Sequence, residues 1–185
     1  MIDDVIQELQ TSIEKAHDAL KRELSKLRTG RAHPSMLDSI RVDYYGTPTP
    51  ISQMAAVNVP EPRMITVKPW EKPLVQAIDK ALRESNLGLN PQVDGDVLRI
   101  PVPPLSEERR RDLTKIARKA GEDCKVAVRK ARHDAIDMLG EIKTSGGASE
   151  DQIDRAKKRV EEIVSQAGQL VDAAVQGKEK EIMTV

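Results

Sequence analysis

"LSEERRRDLTKIARKAGEDCKVAVRKARHDAIDMLGEIK", Leu105 to Lys143, decides the architecture of this 185-residue chain. Ser106 stands at an N-cap position, and Glu107 and Glu108 follow in the first turn, where the helix dipole favours anions. No proline interrupts the segment, so it reads as one helix that ends before the loop "TSGGASE". At 1.5 Å per residue such a helix is roughly 55 Å long. In a chain this small a helix of that length needs others lying along it, because most helical stability comes from packing an apolar face.

The flanks supply two partners. Ile2, Ile6, Leu9, Ile13, Ala16, Leu20, Leu24 and Leu27 step by threes and fours, the period of a helix with a supercoiling seam. Gly30 then reads as the helix stop, with Arg28 in the last turn. Near the other end, Ser149 and Gln152 have the spacing of a capping box. Ile153, Ala156, Val160, Ile163, Ala167, Leu170 and Ala174 follow at the same steps. Three seams predict a three-helix bundle.

All 11 prolines lie between Pro34 and Pro104, where the period changes. "SIRVDYYGTPTPISQMAAVNV" and "RMITVKPW" alternate β-branched residues with Gly and Pro and read as strands and turns. Tyr44-Tyr45-Gly46 reads as a strand entering a turn, with at least one tyrosine in a small core. Leu74, Ile78 and Leu82 have helical spacing, and "DVLRIPV" reads as a returning strand. The expected fold is α+β, with residues 1–30 and 105–185 forming a long three-helix bundle and residues 31–104 a small β-rich α/β domain inserted in it. Two chain crossings, near Gly30-Arg31 and Pro104-Leu105, join the parts and are places for a hinge.

Composition narrows the function. Aromatic residues are 2% of the chain and Phe is absent, so the core is aliphatic and a base-stacking platform for single strands is disfavoured. A single cysteine, Cys124, cannot form an internal disulfide, and no apolar run approaches the roughly 18 residues of a membrane span. A soluble cytoplasmic protein is expected. His17, His33 and His133 fall in different elements without metal-ligand spacing, and Gly146-Gly147 lacks the Lys-Ser/Thr of a phosphate loop. No nucleophile, base and orienter assemble, so neither an enzyme nor a cofactor or metal site is expected.

The basic helix carries the remaining signal. At 100° per residue, Leu113, Ile116, Ala117, Ala120, Cys124, Ala127, Val128, Ala131, Ala135, Met138 and Ile142 share one arc, read as the buried stripe. Arg111, Arg118, Lys125 and Arg132 recur every seven residues on the outward side, with Lys115 and Arg129 beside them. Asp112, Asp123 and Asp134 collect on the other flank, so a chain of net charge +0 still presents a single-sign row. Such a row suits a polyanion with regularly spaced phosphates, above all a folded RNA read by shape. The alternative is a coiled-coil scaffold whose cations meet acidic protein surfaces.

"LRTGRAHPSMLDSIRVDYYGTPTPISQMAAV", "ESNLGLNP", "IPVPPLSEERRRDLTKIARKAGEDCKVAVRKARHDA" and the terminal "KEKEIM" resemble the bacterial ribosome recycling factor family along essentially the whole chain. The resemblance implies an L-shaped protein that acts without a catalytic centre. It implies that the protein binds the post-termination ribosome and, with elongation factor G and GTP, separates the subunits and releases them from messenger RNA. Against large-subunit RNA it implies Arg110, Arg129 and Arg132, to which the row adds Arg118 and Lys125. It places the interdomain hinge at Arg28, Thr29, Gly30, Arg31, Pro104 and Leu105, and it suggests a monomer with no membrane partner. Many relatives carry a second basic residue where this chain has His133, so that contact is expected to be weaker or pH-dependent.

Overall fold

A computed structural model describes residues 1–184, arranged as two compact units. The larger comprises Met1–Thr29 and Glu107–Thr184, and the smaller Gly30–Ser106. Val185, the last residue of the expected bundle, lies outside the described residues.

Three helices build the larger unit: α1 (Ile2–Ser25), α3 (Glu107–Thr144) and α4 (Glu150–Met183), with α2 (Leu74–Glu84) belonging to the smaller one. Their seams meet in a core of Val5, Ile6, Leu9 and Ile13 from α1, Val128, Ala131, Ala135 and Leu139 from α3, and Ile153, Ala156, Val160 and Ala167 from α4. Burying each Leu or Ile contributes about 1.5–3 kcal/mol, which offsets the ordering cost of such long helices. The capping box forms: the Ser149 hydroxyl accepts from the Gln152 amide while the Gln152 side chain accepts from the Ser149 amide. Glu107 and Glu108 occupy the first turn of α3.

The first helix stops earlier than expected. Its last residue is Ser25, whose hydroxyl donates to the Arg22 carbonyl at 2.7 Å, and Arg22 is the basic residue of the last turn in place of Arg28. The Lys26 and Leu27 amides turn back to Glu23 and Leu24, three residues away, and this tighter winding closes the helix. Gly30 does adopt a left-handed φ of 77°, but five residues beyond the helix.

In the smaller unit, β3 (Ala55–Glu61), β4 (Met64–Pro69), β6 (Val97–Pro101) and β5 (Gln92–Asp94) form an antiparallel sheet in the order β3-β4-β6-β5. Ile65 and Val67 on β4, with Leu98 and Ile100 on β6, alternate into one face, as strand periodicity requires. Helix α2 (Leu74–Glu84) adds Ile78 and Leu82 to the same core. A separate hairpin joins β1 (Arg41–Tyr44) to β2 (Thr47–Pro50) through Tyr45-Gly46. Both turn residues have positive φ, the pattern that matches strand twist, and Asp43 accepts from the Gly46 amide. Tyr44 packs against the core, whereas Tyr45 is 82% exposed, and both hydroxyls donate to Glu71.

Candidate nucleic-acid interface

Helix α3 displays the cations. Its buried line consists of Leu113, Ala117, Gly121, Cys124, Val128, Ala131, Ala135 and Leu139. Compared with the arc expected from sequence, this line is rotated toward Gly121 and Leu139. Ile116, expected inside, is 46% exposed, and Ala127 is also exposed. The rotation arises because α4 meets α3 over Gly121, where the missing side chain lets the helices come close: a Cβ there would lie 2.6 Å from Val175 Cγ2. Cys124 sits in that line, its thiol donating to the Ala16 carbonyl at 3.4 Å, and burial pushes its pKa up. A thiol so placed behaves as a small core side chain.

Most of the row is paired with carboxylates. Arg118 pairs with Glu179 at 2.5 Å and Lys125 with Asp172 at 2.7 Å, both across to α4. Lys125 also lies 3.8 Å from Glu122 on its own helix. Arg132 grips Glu161 with two groups, Nε at 2.8 Å from Oε1 and 3.1 Å from Oε2 and a terminal nitrogen at 2.5 Å from Oε1. These hydrogen bonds, reinforced by the opposite charges, raise the pKa values of all three cations, and the Arg132 bond lowers that of Glu161. Arg111 bonds Glu107 within the helix.

The other expected contacts differ in setting. Arg129 is exposed and makes no ion pair or hydrogen bond among the described residues. Arg110 is partly buried, and its Nε, like the Thr114 hydroxyl one turn on, is enclosed without a hydrogen-bond partner among the described residues. His133 Nε2 lies 3.2 Å from Asp137, an ion pair only when the ring is protonated. Of the expected hinge residues, Arg28, Arg31 and Pro104 are exposed and Thr29 half-buried; the Leu105 side chain lies 3.5 Å from where a Gly30 Cβ would stand.

Sequence reasoning from one helix at a time missed the α4 carboxylates. A signal was present: Asp172 and Glu179 are seven residues apart, as are Arg118 and Lys125, which is how two antiparallel helices exchange charge pairs beside a seam. The guanidinium of Arg132 keeps N–H groups beyond the two that hold Glu161, since arginine has five donors in a planar fork. The exposed part of the row therefore consists, among the described residues, of Lys115 and Arg129 in full and the outer edges of their paired neighbours. Among the described residues no helix is long and apolar enough to cross a membrane.

A family model described as Ribosome recycling factor matches residues 20–183. The chain is 60% identical over 185 residues to the ribosome-recycling factor of Sorangium cellulosum, covering 100% of both. It is 47% identical over 181 residues to that of Brevibacillus brevis, covering 98% of each. Its fold is similar to the solution structure of a ribosome recycling factor, with a TM-score of 0.70, 38% identity, and coverage of 100% of this chain and 98% of the other. It is also similar, with a TM-score of 0.61 and 38% identity over 100% of both chains, to a chain from a description of the Thermus thermophilus factor and Escherichia coli elongation factor G bound to the E. coli post-termination complex.

Proposed function

We propose, from the premise that this chain belongs to the ribosome recycling factor family, a residue-level account of how it recycles ribosomes after termination. The protein binds the post-termination ribosome and, with elongation factor G and GTP, promotes separation of the subunits and release from messenger RNA. It is a cytoplasmic monomer and performs no bond-breaking step itself; the chemical work is the partner's GTP hydrolysis.

Binding to large-subunit RNA runs through α3, with Arg129 and Arg132 at its centre and Arg110, Arg118 and Lys125 along it. The observation that carries this reading is an exposed Arg129, unpaired among the described residues, beside an Arg132 whose guanidinium is oriented by Glu161 and keeps outward donors. A planar guanidinium held in this way suits bidentate phosphate contact, which lysine does not provide. Arg132→Glu is expected to weaken large-subunit binding by at least about fivefold, on the scale of one lost hydrogen bond to a charged group. In the companion assay, the wild-type protein with elongation factor G and GTP should dissociate post-termination ribosomes into subunits on a sucrose gradient. Unchanged affinity of the variant would remove α3 from the interface.

Arg28, Thr29, Gly30, Arg31, Pro104 and Leu105 form the hinge through which the smaller unit is driven while the bundle stays bound. Support comes from the chain, which among the described residues crosses between the units only twice, at Thr29-Gly30 and Ser106-Glu107. A disulfide that pins these crossings should preserve large-subunit binding yet abolish subunit release. Recycling at the normal rate by the pinned protein would refute the hinge.

A further inference from the structure

We propose that Glu161, Asp172 and Glu179 on α4 are specificity-determining residues that hold the cations of α3 in neutral pairs and so discriminate against unstructured polyanions. The proposal rests on the reading of α3 as the RNA-binding helix and adds to it the charges that oppose that binding.

The pairs form a rail. Arg118 meets Glu179 and Lys125 meets Asp172 in one antiparallel register, seven residues apart on each helix. In that register Arg132 would face Ser165, but it instead reaches the carboxylate one turn away, Glu161, with a two-point grip. Three of the five cations in the expected contact set are thus committed to α4, although the row looks uncompensated when α3 is considered alone.

The energetic consequence follows from how polyanions bind. Affinity for a flexible nucleic acid comes largely from the counterions released when cations neutralise phosphates. A cation already neutralised by a carboxylate offers little of that gain, and the carboxylate repels the incoming phosphate. Surface ion pairs are individually weak, so they yield to a rigid phosphate array that engages several at once. A flexible strand must also give up conformational freedom to match the row, and it gains too little in return. The rail thereby keeps a protein that must find one RNA surface from adhering to every messenger strand.

The test uses the full chain carrying Glu161→Gln, Asp172→Asn and Glu179→Gln together. The control carries Glu14→Gln, Asp18→Asn and Glu162→Gln, which remove the same charge from exposed acids that make no ion pair among the described residues. The probe is a fluorescent 20-nucleotide poly(A) strand, titrated by polarisation over a range of salt. The rail variant is expected to bind about fivefold tighter than the control near 0.1 M salt, with a log–log salt slope steeper by about 2 for three freed cations. Equal affinity and equal slope in the two variants would assign the effect to net charge alone and overturn the proposal, as would weaker binding by the rail variant. If the triple variant fails to fold by circular dichroism, Glu161→Gln alone serves, with an expected steepening of about 0.7 and no change as the refuting result. These measurements use no ribosome, so failure of the α3 interface, read by Arg132→Glu on the large subunit, is separate from failure of the rail.

Discussion

Leu139→Ala is expected to lower the unfolding free energy of the bundle by about 3 kcal/mol, within the usual range for Leu-to-Ala changes at buried sites. Leu139 is 0% exposed and belongs to the core in which all three helices meet. Its α3 companions there are Val128, Ala131 and Ala135, so the helix lines that core mostly with small side chains. Neighbours anchored on helices this long move little into a vacated volume, and the cost therefore includes a cavity as well as lost transfer energy. Ellipticity at 222 nm is the right probe, because the one Trp, Trp70, belongs to the smaller unit. The helical melting midpoint should fall by about 10 °C or more for a unit of this size. A loss below about 1 kcal/mol would mean that the site collapses onto Ala and that the seam is not tightly packed there.

The helices, the capping box, α2 and the strands other than the three-residue β5 were legible because each depends on local periodicity or on a side chain bonding its own turn. Ile153, Ala156 and Val160 stand at seam positions and are buried as that spacing requires. Besides β5, three features escaped. Ser25 ends the first helix by a hydroxyl-to-carbonyl bond, a weak signal beside the glycine five residues later. The buried line of α3 turns toward Gly121, which a hydropathy reading discounts because glycine has no side chain to score. The partners of Arg118, Lys125 and Arg132 lie on another helix, and a wheel drawn for one helix cannot show what stands beside it. The last two misses concern contact between elements, which sequence spacing constrains only once two seams are set in register, whereas the first is a local choice between two competing stop signals.

The same register explains why the charge row tolerates a neutral chain. Coulomb attraction between exposed groups in water is small, so pairs such as Arg132–Glu161 add little to stability while fixing where the guanidinium points. On the proposed reading of α3 as the RNA-binding helix, their weight falls on function: the carboxylates orient the Arg132 guanidinium and set the affinity that RNA must exceed.

Gly121→Leu is expected to cost about 3 kcal/mol and to alter nucleic-acid binding at the same time. The first added carbon would stand 2.6 Å from Val175 Cγ2, and Val171 Cγ1 lies 3.8 Å away, so the helices must separate or valine must leave its preferred rotamer. Restored helix propensity returns only about 1 kcal/mol. The contrasting substitution is Gly168→Ala, where the added carbon meets nothing within 4 Å and the propensity gain should appear as up to about 1 kcal/mol of added stability. Gly121 lies three residues after Arg118 and four before Lys125, and Val175 lies three after Asp172 and four before Glu179. The close approach is therefore the fulcrum of two ion pairs, and a wedge there lengthens both Arg118–Glu179 and Lys125–Asp172. Measured well below its melting midpoint, Gly121→Leu should bind poly(A) with a salt slope steeper by about 1.4, since single strands contribute about 0.7 per freed cation and two are freed. A destabilised variant with the wild-type slope would show that the pairs follow their helices apart. The contact over Gly121 would then govern stability alone.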